Sequence, residues 1–449
     1  MSPRPAALAG VPLAFAAGAI VARLLAQAPP QHLAADFKQP LIVVTAWGSR
    51  GIDFFVCIAA VVVLSTVALA FALGPRWNAG PSLAATLVLA AFALGAAFAW
   101  PVVFSSDVYA YAAYGDAVVH GHNPYHAVPH AQHGAFVDAA RWQWGGVSFP
   151  ASVYGPLFIA VAALATLAAG DRLPATLWML RILAAAAFLA SIVLFNDILA
   201  GRRHRRFAVA AYALNPIALW SIAEGHNDIF PLLALFGAFG LLRRGALRAA
   251  GLALGLAPAF KLIALVPAIV APLWIWGRRS PNAVRFGAAT AIGLVLTAAL
   301  ALPLQLGTLV SITPHARYAP QFSFQSLVGL VPAAIVVVAA TVTGVRALAR
   351  GESGGALWVA IAVWLAIPNP YPWYALWIVP LAVALPPSRA SLALYLATIF
   401  GVIRYLPDAF GNVPQLAGNI LTIVQLAPLA LAGFVEVNVS TPENSTNSR

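Results

Sequence analysis

The chain reads WPVVFSSDVYAYAAYGD over residues 100–116, and this stretch decides how the rest of the sequence is interpreted. An almost uncharged apolar run ends at Phe104, and Asp107 follows after two serines. The longest polar segment of the chain comes next, and it begins with three closely spaced tyrosines. Because a carboxylate is costly beside a bilayer, an acid in this position is a functional-site candidate.

The composition is that of an all-α integral membrane protein. Of the 449 residues, 62% are hydrophobic and only 8% are charged, whereas soluble domains carry about a quarter charged residues. The net charge of +12 comes from short basic clusters between apolar runs. Such clusters are typical of cytoplasmic membrane loops, so the positive charge does not indicate a nucleic-acid partner.

Apolar runs that are long enough to cross a bilayer, about 20 residues, recur along the chain. We expect a polytopic helical bundle with roughly 13 crossings. It would form one transmembrane domain over 1–435, followed by a disordered cytoplasmic tail over 436–449. The clearest spans are expected at about 6–27, 51–73, 83–104, 174–200, 207–223, 286–304 and 326–345.

One short apolar run decides on which side of the membrane residues 105–155 lie. The basic cluster over 201–206 follows a span and is expected in the cytoplasm. The run 157–169 has 13 residues, which is too short to cross. If it enters and returns, 105–155 is a periplasmic loop, and if it crosses, that segment is cytoplasmic. Its length and Pro156 favour the return, with the polar loops on the outer side of the membrane.

Asp107 is the candidate general base. Ser105 or Ser106 can cap a helix that begins near it, and the pattern that follows predicts an interfacial helix with aromatic rings at headgroup level. The helix dipole favours the ionised carboxylate, which can accept a proton from an alcohol. The alternative is that Asp107 is only a helix cap or a loop charge.

A second polar group, Gly225-His226-Asn227-Asp228, follows an apolar span. Its histidine is a candidate for binding a sugar hydroxyl or a phosphate, and its aspartate is equally suited to an N-cap. Lys261 lies inside the proline-interrupted run 249–277, where two short helices that meet at a cavity would explain it. It either binds a phosphate or extends to the membrane interface. Arg317, in an outer loop, is a similar candidate.

Aromatic and histidine-rich segments each allow two interpretations. Tyr371, Trp373 and Tyr374 form either an aromatic membrane belt or a surface for stacking sugars. Ligation of a metal by histidines on one helical face requires regular spacing, and Pro124 and Pro129 interrupt the histidine-rich segment. We therefore expect a solvated loop there. Its histidines are His120, His122, His126, His130 and His133.

These segments resemble the GT-C glycosyltransferases, which are integral membrane enzymes that use polyprenyl-phosphate sugars. The likeness covers about residues 100–385 and is greatest to the bacterial polyprenol-phosphate-mannose-dependent mannosyltransferases of family 87. The first mannosyltransferase of the GPI-anchor pathway has a similar layout. The matching pieces are Asp107 with Gly121-x-x-Pro124-Tyr125, Tyr154-Gly155-Pro156-Leu157, Asn215-Pro216, Gly225-His226-Asn227-Asp228, Phe260-Lys261 with Pro267, Arg317 with Phe322-Ser323, and Tyr371-x-Trp373-Tyr374 with Pro380-Leu381.

The resemblance implies inverting transfer of mannose or another hexose from a polyprenyl-phosphate donor to a lipid or glycan acceptor. It implies that Asp107 deprotonates the acceptor hydroxyl. It also implies that Lys261 and Arg317 stabilise the leaving phosphate and that His226 assists. The implied substrate-binding residues are Tyr111, Tyr125, Tyr154, His226, Asn227, Asp228, Lys261, Arg317, Tyr371, Trp373 and Tyr374.

One position departs from the family pattern. GT-C enzymes often carry two acids in the first outer loop, and Ser105 replaces the first of them here. The base is retained, but a divalent metal becomes doubtful, and we expect no metal ligands. The alternative function is a transporter or flippase of lipid-linked sugars, although the internal repeats typical of transporters are not apparent in the sequence.

Overall fold

The computed structural model describes residues 6–33, 39–73, 80–125, 134–143, 151–316, 321–386, 388–410 and 414–433. These residues are almost entirely helical, which confirms the predicted all-α class. Two short parallel strands are the exception, β1 (Ile42–Val43) and β2 (Val102–Val103). They hold the turn that leads to Asp107 against the N-terminal part of the chain.

The first half of the chain forms α1 (Gly10–Ala26), α2 (Gly51–Leu73), α3 (Leu83–Phe98), α4 (Asp107–Val119), α5 (Ala135–Gln143), α6 (Pro156–Ala168), α7 (Leu173–Ile198), α8 (Arg205–Ala213) and α9 (Pro216–Ala223). The second half forms α10 (Ile229–Arg243), α11 (Leu247–Leu256), α12 (Leu265–Gly277), α13 (Ala283–Ala316), α14 (Phe324–Val328), α15 (Leu330–Ala349), α16 (Gly355–Ala366), α17 (Ala375–Ala384), α18 (Arg389–Phe400), α19 (Tyr405–Phe410) and α20 (Gln415–Gly433). Short 3-10 helices lie at Ala7–Ala9, Gln31–Leu33, Val44–Arg50, Ala257–Ala259, Leu262–Ala264, Pro372–Tyr374 and Gly401–Arg404.

Among the described residues, six single helices are long and apolar enough to cross a membrane. They are Ala7–Ala26, Val44–Leu73, Leu173–Ile198, Ala283–Leu302, Leu330–Ala349 and Arg389–Phe410. The pair α8 and α9, which meet at a bend of 44°, makes a seventh span if counted as one. The span predicted over 83–104 ends earlier, at Phe98. The chain is a multi-pass membrane protein, and the number of roughly 13 crossings stays a prediction.

Helix α7 extends between the two ends of the bundle, and positions along it give the distance between them. Near its C-terminal end, Asp197 forms an ion pair with Arg243, beside the basic cluster of 202–206. Sixteen residues earlier, Arg181 and Val108 lie against Gly225, level with the start of α4. At 1.5 Å per residue, roughly 24 Å of helix separates these two levels. The segment that begins at Asp107 is therefore far from the end of the bundle that carries Arg243 and the basic cluster of 202–206, which we call the arginine-rich end.

Helices α4 and α6 run side by side in the same direction. The ring centroids of Tyr111 and Phe158 lie 4.9 Å apart near the start of both helices, and His120 faces Asp171 at 3.4 Å beyond their ends. Both helices lead towards the beginning of α7 and away from Asp197. The short apolar helix α6 is a single helix that does not run towards the arginine-rich end, and the predicted return of this segment stays a prediction.

Helix α4 is enclosed by protein. Every side chain from Val108 to Gly115 is buried, because α5, α6 and α7 pack around it. The helix begins at Asp107 as predicted. Its tyrosine rings, however, lie inside the protein and not at an exposed membrane interface, so the predicted interfacial position is wrong. The amphipathic pattern does not reveal how many helices surround a short segment.

The proline-interrupted run breaks at Lys261, as predicted. Helix α11 ends at Leu256, and Lys261 has an extended backbone (φ −156°, ψ 131°) before α12 begins. The break exposes backbone groups that need partners, and the N–H of Gly155 donates to the carbonyl of Phe260 at 3.0 Å. Broken backbone inside a membrane bundle is tolerated only where protein or a cavity satisfies it.

Asn215-Pro216 builds the bend between α8 and α9. The Asn215 side chain accepts hydrogen bonds from the N–H groups of Ile217 and Ala218, both at 3.0 Å, and Pro216 occupies the first helical position, where it needs no donor. The bend directs α9 towards residues 224–228.

The packing at Gly155 yields a prediction. A side-chain carbon there would overlap the backbone carbonyl of Ala259, so Gly155→Ala should lower the free energy of unfolding by about 1–3 kcal/mol. Thermal unfolding of the detergent-purified protein measures this change. Gly237→Ala is the matched control, because a side chain there meets nothing within 4 Å. Equal unfolding temperatures for the two variants would contradict this account of the break.

Candidate active site

Asp107 lies at the start of α4 with part of its carboxylate accessible. Its N–H donates to the Ser105 hydroxyl at 3.2 Å, and its Oδ2 accepts from the Tyr111 hydroxyl at 3.2 Å. The Nδ1 atom of His226 is 3.7 Å from the same oxygen. The Asp107 side chain is 22% exposed. Asp107 is therefore held in place from two sides and remains open to a ligand.

Glu224 lies behind His226 and is completely buried. Its Oε1 accepts from the N–H groups of Phe104 and Ser105, at 2.7 and 3.2 Å. Its Oε2 accepts from the Tyr405 hydroxyl at 2.7 Å and is 3.3 Å from Nε2 of His226. These contacts fully occupy its oxygens.

Lys261 and Asp228 form a second charged group, on the side of the site opposite Asp107; the two sides are called the Asp107 wall and the Lys261 wall. The Lys261 ammonium donates to Asp228 Oδ2 at 2.7 Å and to Asn227 Oδ1 at 3.2 Å. The second oxygen of Asp228 accepts from the indole N–H of Trp377 at 2.7 Å. Asp228 is fully buried and Lys261 is 15% exposed. An ammonium group has three donors, so one N–H of Lys261 remains for a ligand.

Tyrosine rings join the two walls. The Lys261 ammonium lies 5.6 Å from the centroid of Tyr154 and 5.5 Å from that of Tyr374, within the range of a cation–π interaction. Tyr154 meets Tyr111 edge to face at 5.1 Å. The hydrogen bond from Tyr111 to Asp107 then completes a continuous path from the cation to the candidate base.

A column of stacked rings begins at His226. Trp373 lies parallel to the imidazole with centroids 4.1 Å apart, and Tyr371 stacks on Trp373 at 4.3 Å. The guanidinium of Arg404 covers the other face of Tyr371 at 4.2 Å. The column fixes the plane of the His226 ring.

Three helices begin at this site: α4 at Asp107, α6 at Pro156 and α10 at Ile229. A helix N-terminus carries a partial positive charge and free N–H groups, which favour anions. These N-termini add partial positive charge to that of Lys261 and lie beside the three carboxylates of the site, Asp107, Glu224 and Asp228.

The environment of Asp107 changes its acidity. Burial raises the pKa of the Asp107 carboxyl, and the charges of His226 and Lys261 and the hydrogen bond from Tyr111 partly oppose this effect. The carboxyl is thus a stronger base than an exposed aspartate, which suits proton abstraction near neutral pH.

Asp107 is the carboxylate of this group whose oxygens remain open to a metal ion. The oxygens of Glu224 and Asp228 are taken by N–H, O–H and ammonium donors. Because Mg²⁺ is commonly held by one or two carboxylates together with substrate phosphates, the expectation of no metal ligands stays a prediction. Asp116, His120 and Asp171 have ligand atoms within 4.8 Å of one another, but this group lies at the far ends of α4 and α6.

An apolar cavity of about 310 Å³ adjoins the site. Ile263 follows Lys261 by two residues, and Trp377 donates to Asp228; both side chains line the cavity. The cavity continues along α12 past Val270 to Trp274. It therefore extends from the charged centre towards the arginine-rich end of the bundle.

The structure brings together most of the residues that the sequence singles out. The group around Asp107 and Lys261 comprises Tyr111, Tyr154, His226, Asn227, Asp228, Tyr371, Trp373 and Tyr374. Tyr125 instead packs in the apolar cluster around α4, and Asn215 caps α9. Arg317 lies outside the described residues, as do His126, His130 and His133.

Sequence reasoning missed Glu224, Trp377, Arg404 and Tyr405 as parts of the site. Glu224 had a signal, since it is an acid at the end of an apolar helix. Tyr405 follows Glu224 by 181 residues and lies beyond the segment in which the resemblance was found.

Comparisons with known proteins bear on this arrangement. The family model described as "Alpha-(1->6)-mannopyranosyltransferase, N-terminal domain" matches residues 6–278, which is more than half of the chain. The chain belongs to this family. The match confirms the resemblance to membrane mannosyltransferases and includes Asp107, His226 and Lys261, whereas the stacked rings of 371–374 lie beyond it.

The chain is also similar to alpha-(1->6)-mannopyranosyltransferase A of Mycobacterium tuberculosis (strain ATCC 25618 / H37Rv). The two are 28% identical over 348 residues, which cover 69% of this chain and 66% of the relative. The chain thus spans slightly less than two thirds of that relative's length. No solved structure matches the chain.

The ion pair at the centre of the site yields a second prediction. Lys261→Met would leave the buried Asp228 carboxylate without a cation, and breaking such a pair costs about 3–5 kcal/mol. The double variant Lys261→Met/Asp228→Asn removes the unpaired charge and should recover part of this loss. Thermal unfolding of the three purified proteins measures both effects. A Lys261→Met protein as stable as the wild type would contradict the assignment.

Proposed function

We propose that the protein is a glycosyltransferase that moves mannose from a polyprenyl-phosphate donor to a lipid or glycan acceptor. The observation that carries this proposal is an accessible carboxylate, Asp107, opposite a lysine at a broken helix, Lys261. It occurs in a chain of the α-(1→6)-mannopyranosyltransferase family. A base and a phosphate-binding cation are the two groups that such a transfer requires.

Asp107 acts as the general base. It takes the proton of the acceptor hydroxyl while the acceptor oxygen attacks the anomeric carbon, and the bond from that carbon to the donor phosphate breaks. Glu224 and Asp228 are fully buried and hydrogen-bonded, so neither is free to act as a nucleophile. One open carboxylate supports a single displacement, which inverts the anomeric centre.

The leaving phosphate is stabilised by Lys261 and the converging helix N-termini. The charge that develops on the phosphate oxygen meets fixed positive groups, which is an effective form of transition-state stabilisation. Arg317 is proposed as a second cation, as the resemblance implies.

The stacked rings hold a polar group of the site in place. His226, Trp373, Tyr371 and Arg404 cover one another's faces, so the column orients His226 close to Asp107 and offers ring edges to the sugar. His226 and Asn227 supply polar groups for sugar hydroxyls. Tyr111 and Tyr154 line the opposite side, between the base and the cation.

The apolar cavity supports a lipid-linked donor over a nucleotide-linked one. Ile263 and Trp377 line its end at the site, and nearly all of its lining is apolar, so part of an isoprenoid chain can lie in it while its phosphate is directed to Lys261. A nucleotide donor would need polar groups at that place for its base and ribose.

The position of the site supports its assignment to the outer face. By the positive-inside rule we assign the basic clusters to the cytoplasmic end of the bundle, and Asp107 lies roughly 24 Å along α7 from that end. We place the protein in the bacterial inner membrane with the site on the periplasmic side.

Replacing the base tests the proposal. Asp107→Asn keeps the shape of the side chain and should lower the rate of mannose transfer about 10²–10⁴-fold, which is the usual contribution of a general base. The assay uses purified protein with a radiolabelled polyprenyl-phosphate mannose. Asp116→Asn, the same change farther along α4, is the control and should remain active. Full activity of Asp107→Asn would remove it from the base role. Movement of the lipid-linked sugar across vesicles without any product would favour a transporter.

The raised pKa of Asp107 predicts the pH dependence of transfer. The base must be ionised, so kcat should fall as the pH drops through the raised pKa, which lies above the ordinary aspartate value of about 3.9. Since Lys261 lowers this pKa, Lys261→Met should move the acid limb of the pH–kcat profile to higher pH. Lys261→Arg keeps the charge and should leave the limb in place. Identical limbs for the two variants would contradict this coupling.

A further inference from the structure

Glu224 contacts two groups that lie beside Asp107, the turn before α4 and the His226 ring, and is itself fully buried. Its Oε1 binds the backbone of Phe104 and Ser105, the turn directly before α4. The hydroxyl of Ser105 in turn accepts from the N–H of Asp107. The place of the candidate base therefore depends on a carboxylate 117 residues farther along the chain.

The second oxygen of Glu224 lies beside the His226 ring. Oε2 is 3.3 Å from Nε2, a charge-pair distance without hydrogen-bond geometry. Trp373 prevents the ring from tilting. The Nδ1 atom is left facing Asp107 at 3.7 Å.

Tyr405 anchors the carboxylate from the opposite side. Its buried hydroxyl donates to Oε2 of Glu224 at 2.7 Å, and its ring lies 4.7 Å from that of Phe104. The same tyrosine thus supports both Glu224 and the turn that Glu224 binds.

We propose that Glu224 is a positioning residue for the transfer reaction. It holds the Phe104–Ser105 turn and the His226 ring so that the Asp107 carboxylate faces the acceptor hydroxyl. The inference rests on the proposed function. It differs from a purely structural role, in which Glu224 would only satisfy buried N–H groups and would not affect the rate of the folded enzyme.

Glu224→Gln is the decisive variant. The amide can still accept from the two N–H groups through its oxygen, and the Tyr405 hydroxyl can turn to accept from its nitrogen, so the protein should fold. The amide, however, lacks the negative charge that faces Nε2 of His226, so the ring is less firmly held between Glu224 and Asp107.

We expect Glu224→Gln to lower kcat about 100-fold, as misplacement of a reacting group does. The KM for the polyprenyl-phosphate mannose should stay within about threefold of the wild-type value, because the Lys261 wall is untouched. Tyr405→Phe removes one donor and should lower kcat by about two- to tenfold. Asp197→Asn, a carboxylate at the arginine-rich end, is the control and should leave both constants unchanged.

Four results separate the possibilities. A kcat of folded Glu224→Gln close to that of the wild type overturns the inference. A lower unfolding temperature with unchanged kcat per folded molecule also overturns it and assigns a structural role. If Glu224→Gln does not accumulate, Tyr405→Phe decides, and an unchanged kcat in that variant counts against the inference. If the wild-type protein itself forms no product, the proposed function fails first, and this inference fails with it.

Discussion

The ion pair between Lys261 and Asp228 is the interaction on which the rest of the site depends. A buried carboxylate in an apolar bundle is tolerated only with a partner. Lys261 reaches Asp228 because its backbone is extended at the break between α11 and α12. The break brings the start of α6 to Phe260 through the Gly155 hydrogen bond. The same pair holds α10 and α17 together through Trp377. The need to pair the buried Asp228 carboxylate with a cation thus positions the break at Lys261, the start of α6, α10 and α17.

Three carboxylates at this end of the bundle have different environments and hence different uses. Asp228 is paired with an ammonium, whereas Glu224 accepts hydrogen bonds from backbone and hydroxyl donors. Both carboxylates are fully buried. Asp107 has fewer donors, keeps 22% of its side chain exposed, and has a raised pKa. A group that is accessible and basic can exchange a proton, whereas the other two organise its surroundings.

Much of this arrangement could be predicted from the sequence. The apolar runs indicated the helical class, the lone lysine between prolines indicated the broken helix, and the order of motifs indicated the family. Contacts between distant segments could not be predicted. The bond between Tyr405 and Glu224 spans 181 residues, and the burial of Tyr109 in α4 results from helices that pack around it later in the chain. Hydrophobic patterns report which face is apolar, but not what covers it.

The most direct test of the central claim is a comparison of mannose donors with the purified protein in proteoliposomes. The account predicts a mannosylated product when radiolabelled mannose is supplied on polyprenyl phosphate. It predicts no product when the same sugar is supplied on a nucleotide, because the cavity that adjoins the site is lined almost entirely by apolar side chains. Product from the nucleotide donor alone, or no product from the lipid-linked donor, would contradict the account.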